Sequence, residues 1–179
     1  VNFIIRESMA DREVEDAINR ERERVWAEGQ RNRKSNEKGE PRPDDLVIRW
    51  LDSDTTNAAF LLRLDAAERG YADRGLKNLC TFTCVDEIEE LYTFCGTSNT
   101  TRIMQVIKRG WDRSRIGAER ATTNAINVKT RLAWNWNAST TITGGRKFFN
   151  KGLTDGTISR VDLCTVVQPD KLPLLRYGM

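Results

Sequence analysis

The chain has 179 residues, four cysteines, no histidine and a formal net charge of +3, with 39% hydrophobic and 31% charged residues. That length suits one domain with a real core. The lack of histidine, with no close Cys-x-x-Cys pair, excludes His-dependent triads and the usual zinc sites, so no zinc is expected. No run approaches the roughly 18–20 apolar residues of a membrane span, and the short apolar start runs into charge unlike a secretory signal, so a cytoplasmic protein with no membrane contact is expected.

Taken in chain order, residues 1–28 read as a helix. Ile4, Ile5, Met9, Val14, Ile18 and Val25 recur at helical spacing amid Arg and Glu, which form a solvated face, and Asp16 can pair with Arg20 at i,i+4. Residues 29–45 turn to Asn, Lys, Glu, Gly and Pro, the composition of a mobile charged loop. Residues 46–51 read as a strand. Asp52, Ser53, Asp54, Thr55 and Thr56 supply N-cap chemistry for a helix through Ala67, and Gly70 and Gly75 bracket a turn.

Residues 79–85 are the strongest buried-strand signal, ending at Asp86-Glu87. A helix is expected over 100–109, a basic loop or hairpin over 110–127 and a strand over 128–136. A polar run follows to Thr141. Gly144-Gly145 then precedes a short helix over 146–151, and a last strand spans 158–167. The four cysteines (Cys80, Cys84, Cys95, Cys164) fall mostly within these apolar, strand-like runs, as small buried residues of a reducing compartment would. Alternating helices and strands predict an α/β fold with a mostly parallel central sheet flanked by helices, in one domain over 1–179.

Charge is distributed unevenly. Residues 100–151 hold eleven Lys/Arg against Asp112 and Glu119, while 79–98 hold only Asp86, Glu87, Glu89 and Glu90. An acidic site before a basic region suits a protein that handles phosphates. An apolar strand ending in Asp-Glu is the Walker B pattern. At the carboxyl edge of a parallel sheet the first carboxylate, Asp86, can help hold Mg²⁺, and Glu87 can orient or deprotonate an attacking water. The bland alternative is that the pair caps a strand.

Four short motifs then occur in a familiar order: Asp54-Thr55-Thr56 opening a Leu-rich helix; Val85-Asp86-Glu87; the stretch from Asn135 to Thr141; and Leu153 through Arg160. Over residues 46–167 the series resembles helicase- or primase-associated P-loop ATPases of bacterial mobile elements and phages. The resemblance implies a partial RecA/AAA+-like P-loop NTPase core using ATP and Mg²⁺ in the intact protein, with a part in DNA replication or mobilisation. It implies Asn137, or alternatively Asn135, as the polar residue sensing the γ-phosphate, where a turn cap is the alternative. Arg160 becomes the arginine reaching a phosphate in the same or a neighbouring subunit of a homo-oligomer, where a surface charge is the alternative.

The sequence departs from that family in lacking G-x-x-x-x-G-K-[ST], so no backbone cradle for the β- and γ-phosphates lies within it. Val1 opens inside a helical pattern, and the chain stops at Tyr177-Gly178-Met179. A fragment of a longer ATPase, inactive alone, is expected. Lys108, Arg109, Trp111, Arg113 and Arg115 form a candidate nucleic-acid loop, most suited to single-stranded DNA. There the arginines would grip phosphates and Trp111 would stack on a base, unless Trp111 packs in the core. Trp134 and Trp136 read as packing residues. The competing function is a non-catalytic nucleic-acid-binding or scaffold module. A metal-dependent nuclease, with Asp54, Asp86 and Glu87 clustered, comes third.

Overall fold

β-branched and aromatic residues make 81–85 extend, and this strand is the axis of the fold. The computed structural model describes residues 2–34, 36–43, 46–72, 80–94, 100–118, 127–150 and 156–164. In chain order these form α1 (Asn2–Ser8), α2 (Ala10–Arg31), α3 (Asn57–Ala72), β1 (Thr81–Val85), α4 (Thr100–Trp111), β2 (Arg115–Ala118), β3 (Val128–Arg131), β4 (Trp134–Ala138) and α5 (Ile142–Phe149). Short 3-10 turns cover Ile88–Tyr92 and Ile158–Arg160.

β1 pairs in parallel with β4, Thr81 opposite Trp134 and Val85 opposite Ala138. On its other edge β1 meets residues 49–51. Phe82 donates its N–H to the Arg49 carbonyl, Leu51 donates to the Phe82 carbonyl, and Trp50 bridges Phe82 in parallel. The expected strand over 46–51 is thus extended chain joined by one bridge. Three parallel segments lie side by side, as the α/β pattern requires.

The strand expected over 128–136 is two strands in different sheets. β3 pairs antiparallel with β2, so the hairpin is not confined to 110–127 as expected but takes its second strand from 128–131, while β4 joins β1. The break falls at Leu132 and Ala133. There Leu132 donates its N–H to the Ser114 carbonyl, and the Ala133 carbonyl accepts from Thr81. A one-dimensional apolar pattern does not reveal such a switch of partner.

The core lies on one side of β1 and β4. Phe60 of α3, Phe94 and Trp134 form a ring cluster, with Phe60 edge-on to Phe94 at 5.0 Å and Phe94 stacked on Trp134 at 5.1 Å. The Trp134 indole donates to the Thr83 hydroxyl at 2.9 Å, satisfying a polar atom inside the core. α4 adds Ile103, Met104, Val106 and Ile107 from one face, and α5 adds Phe148 and Phe149. α3 begins at the expected cap, where the Thr56 hydroxyl accepts the Ala59 N–H at 3.2 Å.

Two further expectations change. Gly144 and Gly145 do not precede a helix but sit inside α5, which Thr141 caps by accepting the Gly144 N–H. A Cβ at 144 would lie 2.5 Å from the Thr140 hydroxyl and 2.7 Å from the Glu89 carboxylate, so those side-chain ends would have to move aside to admit one. Residues 158–160 form a 3-10 turn where a strand was expected; 165–167 lie outside the described residues.

The N-terminal helical pattern is broken at Met9 into α1 and α2. α2 docks through its polar side, contrary to the expectation that this side is solvated. Asp16 accepts the Arg49 N–H at 3.0 Å and the Trp50 N–H at 2.6 Å. Asn19 donates to the Val47 carbonyl and Arg20 to that of Trp50, so Asp16 and Arg20 clasp the backbone of residues 47–50. Glu23 takes Arg42 and Arg63. Among the described residues no helix is long and apolar enough to cross a membrane.

Candidate functional site

Parallel pairing delivers the ends of β1 and β4 to one edge. Past β1 come Asp86 and Glu87, both exposed; past β4 come Ser139, Thr140 and Thr141, also exposed. The two exits are laced together. Ser139 donates its N–H to the Val85 carbonyl at 3.4 Å, and Ile88 donates to the Ser139 carbonyl at 2.9 Å. Carboxylates and hydroxyls therefore share the carboxyl edge of the sheet, where open α/β folds bind ligands.

Glu87 is extended and opens the Ile88–Tyr92 turn, its N–H donating to the Glu90 carboxylate at 3.1 Å. The cap is reciprocal, because the Glu87 carboxylate in turn accepts the Glu90 N–H, so both helix-start amides are satisfied and the Glu87 side chain is engaged in the turn. Asn137 sits one residue before the edge, half-buried, directly opposite Cys84. Its side chain hydrogen-bonds the Cys84 thiol. Strand alternation puts Asn135 and Asn137 on the face opposite Trp134 and Trp136, which pack toward the core.

Cys84 was not singled out in the sequence, yet it reports on the site. Burial pushes its thiol up, the bond to Asn137 and the positive charge of Arg6 oppose this, and the charge of Asp86 adds to the rise. Arg6 of α1 is thus near enough for its charge to act on the Cys84 thiol.

Arg160 lies in a turn that closes on itself. Its Nη1 donates to the Gly156 carbonyl at 2.7 Å, as does the Ser159 hydroxyl at 2.8 Å. Its Nε is buried and has no partner among the described residues. Gly156 takes φ of +76°, a conformation side chains resist. The guanidinium is thus a half-buried charge rather than the surface charge of the bland reading.

The basic loop is the turn from α4 into β2. Ser114 donates to the Arg109 carbonyl and Arg113 to that of Gly110, closing the helix end, with Arg113 in the left-handed region at φ 47°. Trp111 is 59% exposed, so it is not a core residue. Arg109, Arg113 and Arg115 are exposed around it, and Lys108 is half-buried. Glu68 of α3 holds the hairpin in place by accepting the Thr130 hydroxyl at 2.7 Å and the Arg131 N–H at 2.9 Å. Burial works to raise the Glu68 carboxyl, but these bonds and the charges of Arg115 and Arg131 leave it below its ordinary value.

Among the described residues no three Cys, Asp or Glu side chains converge as a metal site. Of the cysteines, Cys84 is buried as expected, whereas Cys80 is half-buried and Cys164 is exposed; Cys95 lies outside the described residues. In comparisons with known proteins, no family model, curated protein or solved structure matches this chain.

Proposed function

We propose that this chain forms the acidic half of a nucleotide site in a helicase-like P-loop ATPase that acts on DNA. The observation that carries the reading is the parallel β1–β4 pair, which sets Asp86 and Glu87 beside Asn137 and the Ser139–Thr140 hydroxyls. One carboxylate beside hydroxyls suits Mg²⁺, which takes few protein ligands and completes its shell with water and phosphate oxygens. Bound there, the ion would neutralise phosphate charge. Asp86 is the residue that would hold it, Glu87 would accept a proton from water, and Asn137 would bond a phosphate oxygen. Arg160 is a fixed positive charge for the same phosphates, on its own subunit or the next of a homo-oligomer.

The phosphate-binding loop is not among these 179 residues. The reading therefore requires it from another part of the polypeptide. The test is ATP binding and hydrolysis by the full polypeptide and its Glu87→Gln variant. Hydrolysis should fall at least about a hundredfold with ATP affinity retained, as loss of a water-positioning group does. Equal loss of binding and turnover would remove Glu87 from that role.

A second reading, a nucleic-acid-binding module without turnover, is favoured by the exposed Trp111 among arginines. An aromatic face amid cations suits unpaired bases on a phosphate backbone. Trp111→Ala should weaken binding of a single-stranded oligonucleotide by roughly tenfold, and Arg113→Ala should lower its salt dependence. Binding unchanged by both would dismiss this loop.

A further inference from the structure

In an antiparallel ribbon alternate residues face the same way, so the β2–β3 pair has an inner and an outer face. Ile116 and Thr130 lie opposite one another and are buried, with the Thr130 hydroxyl donating to Glu68 of α3. The outer face carries Arg115 opposite Arg131 and Gly117 opposite Lys129, all four exposed. Like charges set directly opposite one another cost stability. Among the described residues one carboxylate answers this pair, Glu68, at 4.0 Å from both guanidinium groups. Lys129 has no ion pair among the described residues. Three cations thus face solvent over one shared anion, a surplus that packing does not explain.

We propose that the outer face of the β2–β3 ribbon is a track for the phosphate backbone of single-stranded DNA, gripped by Arg115, Lys129 and Arg131. It rests on the reading of the Trp111 turn as a nucleic-acid contact, and it carries that contact onto β3, whose Lys129 and Arg131 the turn does not include. Glu68 is then a positioning residue. It holds the ribbon through Thr130 and the Arg131 N–H, and its charge is the one that incoming phosphates replace.

Charge and shape choose the partner. Guanidinium forks and an ammonium suit phosphate oxygens, and the turn leading into β2 adds exposed Arg109 and Arg113 against Asp112. Trp111 is the only exposed large hydrophobic among the described residues of α4, β2 and β3. A membrane surface would find no apolar patch to bury there, whereas an unpaired base needs a single ring to stack on. Gly117 leaves the face bare beside Lys129, open to close approach by a backbone.

The test is an anisotropy titration of a labelled single-stranded DNA of about 16 nucleotides with the full chain across a range of salt. Lys129→Ala and Arg131→Ala should each weaken binding several-fold. Each should also lower the slope of log affinity against log salt by about 0.7, the share of one phosphate contact on a single strand. Glu68→Gln keeps an acceptor for the ribbon without the charge and should tighten binding. Arg12→Ala removes an equal charge from α2 and should leave the slope unchanged. Wild-type behaviour of Lys129→Ala and Arg131→Ala, with Trp111→Ala still weakening binding, would overturn the track and leave the turn as the contact. No effect of any of the three would dismiss both. An equal drop in slope for Arg12→Ala, or looser binding for Glu68→Gln, would also overturn the proposal, as would phosphatidylserine vesicles that bind as tightly as the oligonucleotide.

Discussion

Cys84 and Asn137 face each other in register across the parallel β1–β4 pair, and the thiol is hydrogen-bonded to the asparagine side chain. This pair ties the acidic edge to the strand that carries the hydroxyls. It also makes the thiol a probe of the site's integrity, since its reactivity depends on thiolate formation and access.

Burial holds the Cys84 thiol above its ordinary range, whereas Cys164 is exposed. Alkylation at mildly alkaline pH should therefore modify Cys164 first and Cys84 only on unfolding. Asn137→Ala removes the hydrogen bond that opposes this rise, so it should push the Cys84 thiol further up and leave that order of labelling unchanged. Peptide mapping of the alkylated protein checks both orders, and faster labelling of Cys84 than Cys164 would contradict the geometry.

Asp16 is 4% exposed and receives the amides of Arg49 and Trp50. Asp16→Ala leaves two half-buried N–H groups without their acceptor and should destabilise by about 1–3 kcal/mol, less whatever the carboxylate's own desolvation costs. Asp16→Asn keeps one acceptor and should lose less. Urea denaturation measures both, and a neutral Asp16→Ala would show that the clasp adds nothing.

The pH dependence has two opposing parts. Burial works to raise the Glu23 carboxyl, yet the bonds and charges of Arg63 and Arg42 hold it below its ordinary 4.5. Its contribution is present above 4.5 and is lost as pH falls through the depressed folded value. Burial raises Asp16 above its ordinary 3.8, so its protonation favours the folded state and its effect runs the other way, stability falling as pH rises through its raised value. Glu23→Gln should therefore flatten the acid limb of a stability–pH curve, and Asp16→Asn should steepen it.

In the hairpin, a Cβ at position 117 would lie 2.2 Å from the Val128 carbonyl oxygen. Backbone cannot swing aside as a side-chain tip does, so Gly117→Ala should cost about 1–3 kcal/mol by displacing the β2–β3 ladder. For a domain of this size that is a fall in Tm of several degrees, roughly 2–4 °C per kcal/mol. Calorimetry would register it, and an unchanged Tm would mean the hairpin shifts at little cost.

Much of the local structure was legible. The buried strand ending at Asp86-Glu87, the Thr56-capped helix and the amphipathic helix after Thr100 follow from β-branched content, cap chemistry and helical period, all properties of neighbouring residues. So was parallel pairing, since helices alternating with strands leave few other connections. The division of 128–138 between two sheets was not legible, because both halves carry the same strand chemistry and only their partners differ. Nor was the helix formed through Gly144-Gly145, a pair that reads as a break but that the Thr141 cap holds in the first turn.

The sequence by itself determined that a carboxylate pair ends an apolar strand and that arginines surround a tryptophan. Tertiary structure alone decided that Asn137 and Ser139 come to the same sheet edge as that pair, that Trp111 faces outward, and that α2 docks by Asp16 while exposing Val14, Ile18 and Val25. The reason is physical. Local preference and period act over a few residues, whereas a buried carboxylate chooses its orientation by where unpaired backbone amides lie, here 33 and 34 residues further along the chain.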